Sequence, residues 1–132
     1  MIRKIDHVGI VVKNIDETVK ILSNMFGFKV TETITAPDGE FKTALVSSGS
    51  ANLELIEPIS SKGSMSKFLE QRGGGIHHLS FNVDDIEKEL NALEEKGIRL
   101  VNNKPSLVES SLVAFVHPSS TGGVLMELIQ KV

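Results

Sequence analysis

An α+β fold is predicted, built from two tandem βαβββ modules whose sheets pair around a barrel-like cleft. Three observations predict it: an internal repeat, the same order of strand and helix signals in each half, and polar residues at matching strand positions in both halves. The segment Asp6–Asp16 aligns with His77–Glu87 at an offset of 71. Gly27–Val30 aligns with Gly97–Leu100 at 70, and Leu53–Ile56 with Met126–Ile129 at 73. Three matches in one order, with a slowly drifting offset, mark a duplication. One domain over residues 1–132 is expected, with module one at 1–59, a linker at 60–75 and module two at 76–132.

In the first module Val8, Ile10 and Val12 alternate as in a half-buried strand. A helix follows from Ile15 to Met25, with Asn14 as its cap, Glu17 completing a capping box and Gly27 suited to a left-handed stop. Strands are expected at Phe28–Thr35, Phe41–Ser47 and Ala51–Ile59, separated by the Pro37-Asp38-Gly39 turn and by the Ser47–Ser50 stretch around Gly49. The linker carries a short helix at Ser64–Arg72, stopped by Gly73-Gly74-Gly75. The second module repeats the pattern. Its first strand is Ile76–Val83 and its helix Ile86–Lys96, capped by Asp84 or Asp85 and ended by Gly97. Strands at Arg99–Asn102, Ser111–His117 and Val124–Lys131 complete it. One helix covers one face of a four-stranded sheet, so the other face needs a partner, and the sister module supplies the simplest one.

Composition removes several classes of function. The chain has 132 residues, 40% hydrophobic and 23% charged, as in an ordinary globular protein. Without cysteine it has neither disulfides, nor thiolate ligands, nor a cysteine nucleophile, which agrees with a cytoplasmic setting. No apolar run reaches the roughly 18 residues a spanning helix needs, so no membrane role is expected. The net charge of −3, without a basic stripe and without Trp or Tyr, argues against nucleic acid. A small-molecule ligand remains.

Strand alternation selects the candidate site. His7, Gly9 and Val11 fall on the face away from the first helix; His78, Ser80 and Asn82 do the same in the second module. His7 and His78 are repeat-equivalent, and so are Glu54 and Glu127, each at the centre of an apolar last strand. A glutamate there is disfavoured by strand propensity and desolvation unless it is paired or ligated. Two imidazoles and two carboxylates at equivalent places make His7, Glu54, His78 and Glu127 the expected ligands of one divalent ion. That donor set suits an octahedral Mn, Co, Ni or Mg ion, or Zn, with two positions left for water or substrate. His77 is read as a core residue on the helix-facing side and His117, before Pro118, as a turn residue; Glu57 and Asp38 are read as solvated ends of elements.

Over essentially its whole length the chain resembles the vicinal-oxygen-chelate superfamily, which includes glyoxalase I, extradiol dioxygenases, methylmalonyl-CoA epimerases and bleomycin-binding proteins. Asp6-His7-Val8-Gly9-Ile10 resembles a pattern common to the superfamily. Phe68-Leu69-Glu70-Gln71-Arg72-Gly73 with Ile76-His77-His78, and His117–Leu128, resemble the methylmalonyl-CoA epimerases more specifically. The resemblance implies metal ligands at His7, His78 and Glu127, with Glu54 at a fourth position that is Gln or Glu among relatives. Two departures stand out. Glu109-Ser110-Ser111 replaces the Gly-Gly-Lys or Gly-Gly-Arg of many epimerases, and Glu40-Phe41-Lys42 stands where some members carry a second catalytic Glu.

The resemblance implies a homodimer and epimerisation of an acyl-CoA thioester such as methylmalonyl-CoA. In such a reaction the ion stabilises the enolate formed on loss of the α-proton. Glu127 is the first choice of base and Glu54 its symmetry-related partner. In the alternative both are ligands only, and water or Lys42 carries protons. Rival readings are a glyoxalase I-like lactoylglutathione lyase and a non-catalytic small-molecule-binding module of the same fold.

Overall fold

The computed structural model describes every residue except Ser48, and every side chain except those of Ser48 and Glu32. The chain divides into two compact units, His7–His77 and Met1–Asp6 together with His78–Val132.

The unit His7–His77 contains most of β1 (Ile2–Val11), then α1 (Ile15–Phe26), β2 (Lys29–Thr35), β3 (Phe41–Ser47), β4 (Asn52–Pro58) and α2 (Ser64–Arg72). The strands run in the order β2-β3-β4-β1. β1 is parallel to β4, whereas β2–β3 and β3–β4 are antiparallel. α1 begins where the Asn14 side chain accepts the Glu17 N–H at 2.9 Å, as a capping residue should. It stops at Gly27, whose φ of 69° is left-handed and whose N–H reaches the Ser23 carbonyl. Between these ends Ile15, Val19 and Leu22 form one apolar stripe, packed on Ala44, Val46 and Leu55 with Ile10, Val12 and Leu53 around them. The turn before β3 is as expected: the Gly39 N–H bonds to the Ala36 carbonyl, and Asp38 Oδ1 accepts the Glu40 N–H at 2.9 Å. The turn expected over 47–50 includes Ser48, which lies outside the described residues. α2 matches its expected bounds. At Gly74 a glycine is required twice over, since φ is 102° and a Cβ would lie 2.9 Å from the Val11 carbonyl oxygen.

The second unit contains β5 (Gly75–Val83, from His78 onward), α3 (Ile86–Glu95), β6 (Ser106–Val108), β7 (Ser111–Val116), a 3-10 turn at Pro118–Ser120 and β8 (Met126–Lys131). The strand order is β1-β5-β8-β7-β6, β1 entering through its first residues. Asp85 is the cap of α3, accepting the Lys88 N–H at 3.1 Å. Ile86 and Leu90 of α3 pack on Val83, Ala114 and Leu128, with Phe81, Leu93, Leu100 and Leu112 at the margin.

One expected strand is displaced. Within 99–102 only Leu100 forms a bridge, to Val116, and the second strand of this half is the exposed Ser106–Val108. The Asn102 side chain takes the Phe115 N–H at 2.7 Å, in place of the backbone carbonyl that a continuing ladder would offer. Pro105, lacking an N–H, separates that stretch from β6.

The duplication extends to a contact between elements. The Ile15 N–H at the start of α1 donates to Glu57 Oε1 on β4 at 2.7 Å. The Ile86 N–H at the start of α3 donates to Gln130 Oε1 on β8 at 2.8 Å. Each helix thus has its first free amide satisfied by the last strand of its own half. Glu57, expected to be solvated, is instead half-buried in this role and also meets Lys42 Nζ at 3.7 Å.

The first six residues are tied to the second unit by polar contacts. Arg3 Nε donates to both carboxylate oxygens of Asp84 at 3.0 Å, Asp6 accepts from Asn82 at 3.1 Å and lies 3.8 Å from Lys131, and the terminal ammonium meets Glu89. Among the described residues no helix is long and apolar enough to cross a membrane.

Candidate functional site

The registers of β1 with β4 and of β5 with β8 place the predicted site residues. In the first unit Gly9 lies beside Glu54 on the parallel β4. His7, Gly9 and Val11 therefore share a face with Asn52, Glu54 and Ile56, while Ile10, Leu53 and Leu55 pack toward α1. His7 stands one position diagonally from Glu54, its side chain 5% exposed, with Nε2 3.7 Å from Glu54 Oε2.

The second unit repeats the construction. Ser80 lies beside Glu127 on β8, two residues after His78, as Gly9 follows His7. Phe81 and Leu128 pack toward α3, leaving Ser80 and Glu127 on the other face. His78 and Glu127 are both buried. The His78 ring meets Phe115 edge-on at 5.8 Å between centroids. The Ser80 hydroxyl donates to Glu127 Oε1 at 2.6 Å, the length of a charge-assisted O–H···O⁻ bond.

The other candidates take structural places. His77 does not join the α3-side core. It packs edge-to-face on Phe68 of α2 at 4.9 Å, and burial, with the Arg72 charge second, pushes its imidazole below the ordinary range. His117 Nδ1 accepts the Ser119 N–H at 3.0 Å, in the turn role expected of it. Lys42, considered as a proton carrier, pairs in register with Glu57 on the α1 side of the sheet, the face opposite Glu54. Ser80 was visible in the sequence as a residue of the correct face, but its bond to Glu127 was not. Glu57 and Gln130 lie at the same offset of 73 as the two glutamates, and that spacing was the signal available for their shared role.

Each unit carries one imidazole and one carboxylate on adjacent strands. His7, Glu54 and His78 have the donor types of a divalent-ion site, the two imidazoles buried and Glu54 partly exposed; Glu127, outside that group of three, is a buried carboxylate bonded to Ser80. Two imidazoles and two carboxylates are the donor types a divalent cation takes, so the donor set fits one.

Fold and donors together define a duplicated α+β protein with the side chains of a metal site. The family model described as the Glyoxalase/Bleomycin resistance protein/Dioxygenase superfamily matches residues 6–115. The chain belongs to this superfamily. It is 33% identical over 132 residues to the mitochondrial methylmalonyl-CoA epimerase of Dictyostelium discoideum, covering 98% of this chain and 80% of that one. Among solved structures, a hypothetical protein of Bacillus halodurans C-125 superposes with a TM-score of 0.93 at 33% identity, over 98% of this chain and 94% of that one. A methylmalonyl-CoA epimerase variant of Streptomyces coelicolor, in complex with 2-nitronate-propionyl-CoA, superposes at 0.91 with 29% identity, over all of this chain and 96% of that one. The fold is therefore of the glyoxalase type.

Proposed function

We propose that the protein is a metal-dependent epimerase of an acyl-CoA thioester, with methylmalonyl-CoA as the first substrate to test. The observation that carries this reading is the pairing of a buried His with a Glu at equivalent positions of both halves, in a chain related along its length to methylmalonyl-CoA epimerases. His7, Glu54, His78 and Glu127 hold the divalent ion. When bound, the ion supplies positive charge beside the thioester carbonyl, which lowers the cost of deprotonating the neighbouring carbon. Glu127 removes the α-proton at Oε2, since Oε1 is engaged by Ser80. Glu54, protonated at the outset, returns its proton to the other face of the same carbon, and exchange with solvent resets the two carboxyls. One C–H bond breaks and one forms, so the reaction is a net isomerisation that needs no oxidant.

The test is a side-by-side assay of the Co(II)-loaded protein with methylmalonyl-CoA and with the methylglyoxal–glutathione hemithioacetal, in deuterated solvent. Epimerisation with deuterium at the α-carbon is the expected result. Turnover of the hemithioacetal without exchange into the CoA ester would replace the reading with a lactoylglutathione lyase. Saturable binding without turnover of either compound would leave a binding module.

A further inference from the structure

The two half-sites match in His and Glu but not in the residue between them. Beside Glu54 stands Gly9, which has no side chain; beside Glu127 stands Ser80, fully buried, with its hydroxyl 2.6 Å from Oε1. Ser80 also follows His78 by two residues on the same strand face, so one short stretch of β5 sets both an imidazole and the orientation of a carboxylate.

We infer that Ser80 is a positioning residue for Glu127: its hydroxyl holds Oε1 and turns Oε2 toward the ion and substrate. This rests on the metal site proposed above. A buried carboxylate on an extended side chain has two free torsions before the carboxyl plane, and an ion alone permits one-oxygen or two-oxygen ligation. A hydroxyl fixed by the strand removes that choice by occupying one oxygen. The rigid element carries the donor, and the bond spans neighbouring strands already locked in register. Glu54 receives no such hydroxyl from the equivalent strand position. The duplication has therefore produced one carboxylate whose geometry is dictated by the strand beside it, and a second set by its other neighbours.

The experiment is Co(II) titration of the full-length protein, followed by visible absorption, for the wild type, Ser80→Ala and Ser80→Thr. Melting temperatures of the metal-free proteins are measured alongside. Ser80→Ala is expected to bind Co(II) about 10–100-fold more weakly, the usual scale for losing a partner of a metal ligand, and to show a shifted d–d spectrum. Ser80→Thr, which keeps the hydroxyl, is expected to restore the wild-type spectrum. Wild-type affinity and spectrum in Ser80→Ala would overturn the inference while leaving the metal site standing. Equal losses in Ser80→Ala and Ser80→Thr would assign the effect to packing and overturn it as well. No Co(II) binding by the wild type would overturn the metal site and, with it, this role for Ser80.

Discussion

Glu127 combines burial, a hydrogen bond accepted from Ser80 and a place one residue into β8, and each makes a different demand on substitution. Glu127→Gln keeps the size and one oxygen for the ion, its amide N–H donating to the Ser80 oxygen in place of the present bond, but removes basicity. It is expected to retain most of the bound metal while turnover and α-deuterium exchange fall together by about 10²–10⁴-fold. Exchange at the wild-type rate in Glu127→Gln would move the base to Glu54. At this scale the repeat made each candidate residue speak for another: a lone strand His or Glu has several ordinary uses, but the coincidence of His7 with His78 and of Glu54 with Glu127 has few. Ser80 and Glu57 were less legible. Their roles depend on which atom lies within hydrogen-bond reach, and a polar residue on a given strand face does not announce its partner.

The shared device at the two helix starts gives the test for single elements. Glu57 and Gln130 satisfy equivalent amides, but only Glu57 brings negative charge to a helix N-terminus, where the dipole favours it. Glu57→Ala and Gln130→Ala are each expected to lower stability by about 0.5–2 kcal/mol, the range for losing a cap. Glu57→Gln should lose only a few tenths of that range, and added salt should narrow its gap from the wild type. Urea midpoints of the three variants check this; a Glu57→Gln variant as unstable as Glu57→Ala would show that charge, not the amide bond, dominates. The helices were legible because Asn14, Asp85 and the apolar stripes carry local signals. The second strand of the second half was not, because Arg99–Asn102 has strand-like composition yet one side chain, Asn102, replaces the ladder. Tertiary pairing overrode local preference there.

Across the whole molecule, the internal repeat made the α+β class and the βαβββ order readable before any contact was known. What it concealed is that the first strand is divided between the units, Met1–Asp6 belonging with the second. Repeat matching begins at Asp6 and cannot speak for the residues before it. Arg3 and Asp84 form the most regular of these long-range ties. Hydrogen bonding to Arg3, followed by weaker Coulombic contributions, holds the Asp84 carboxyl below its ordinary 3.8. A carboxylate so depressed adds stability that is present above its ordinary value and lost as pH falls through the folded value. Arg3→Ala is therefore expected to be slightly less stable than the wild type at pH 7, with the difference closing on acidification below 3.8 and shrinking in salt. Urea unfolding at pH 7 and near pH 3, at low and high salt, reads it directly. A gap that persists unchanged near pH 3 would assign the Arg3 contribution to packing of its stem.

The divided first strand also sets a schedule for synthesis on the ribosome. Residues His7–Val11 can pair with β4 once Pro58 has emerged, but the partners of Arg3 and Asp6 lie at Asn82, Asp84 and Lys131. Between Pro58 and Asp84, by which point β5 is complete, lie 26 residues, an interval of roughly 1–5 s at about 5–20 residues per second. Throughout it Ile2–Asp6 of β1 wait without β5 beside them, an unpaired strand edge open to other nascent chains. The basic residues Arg3 and Lys4, set between Ile2 and Ile5, keep that waiting edge charged until β5 arrives.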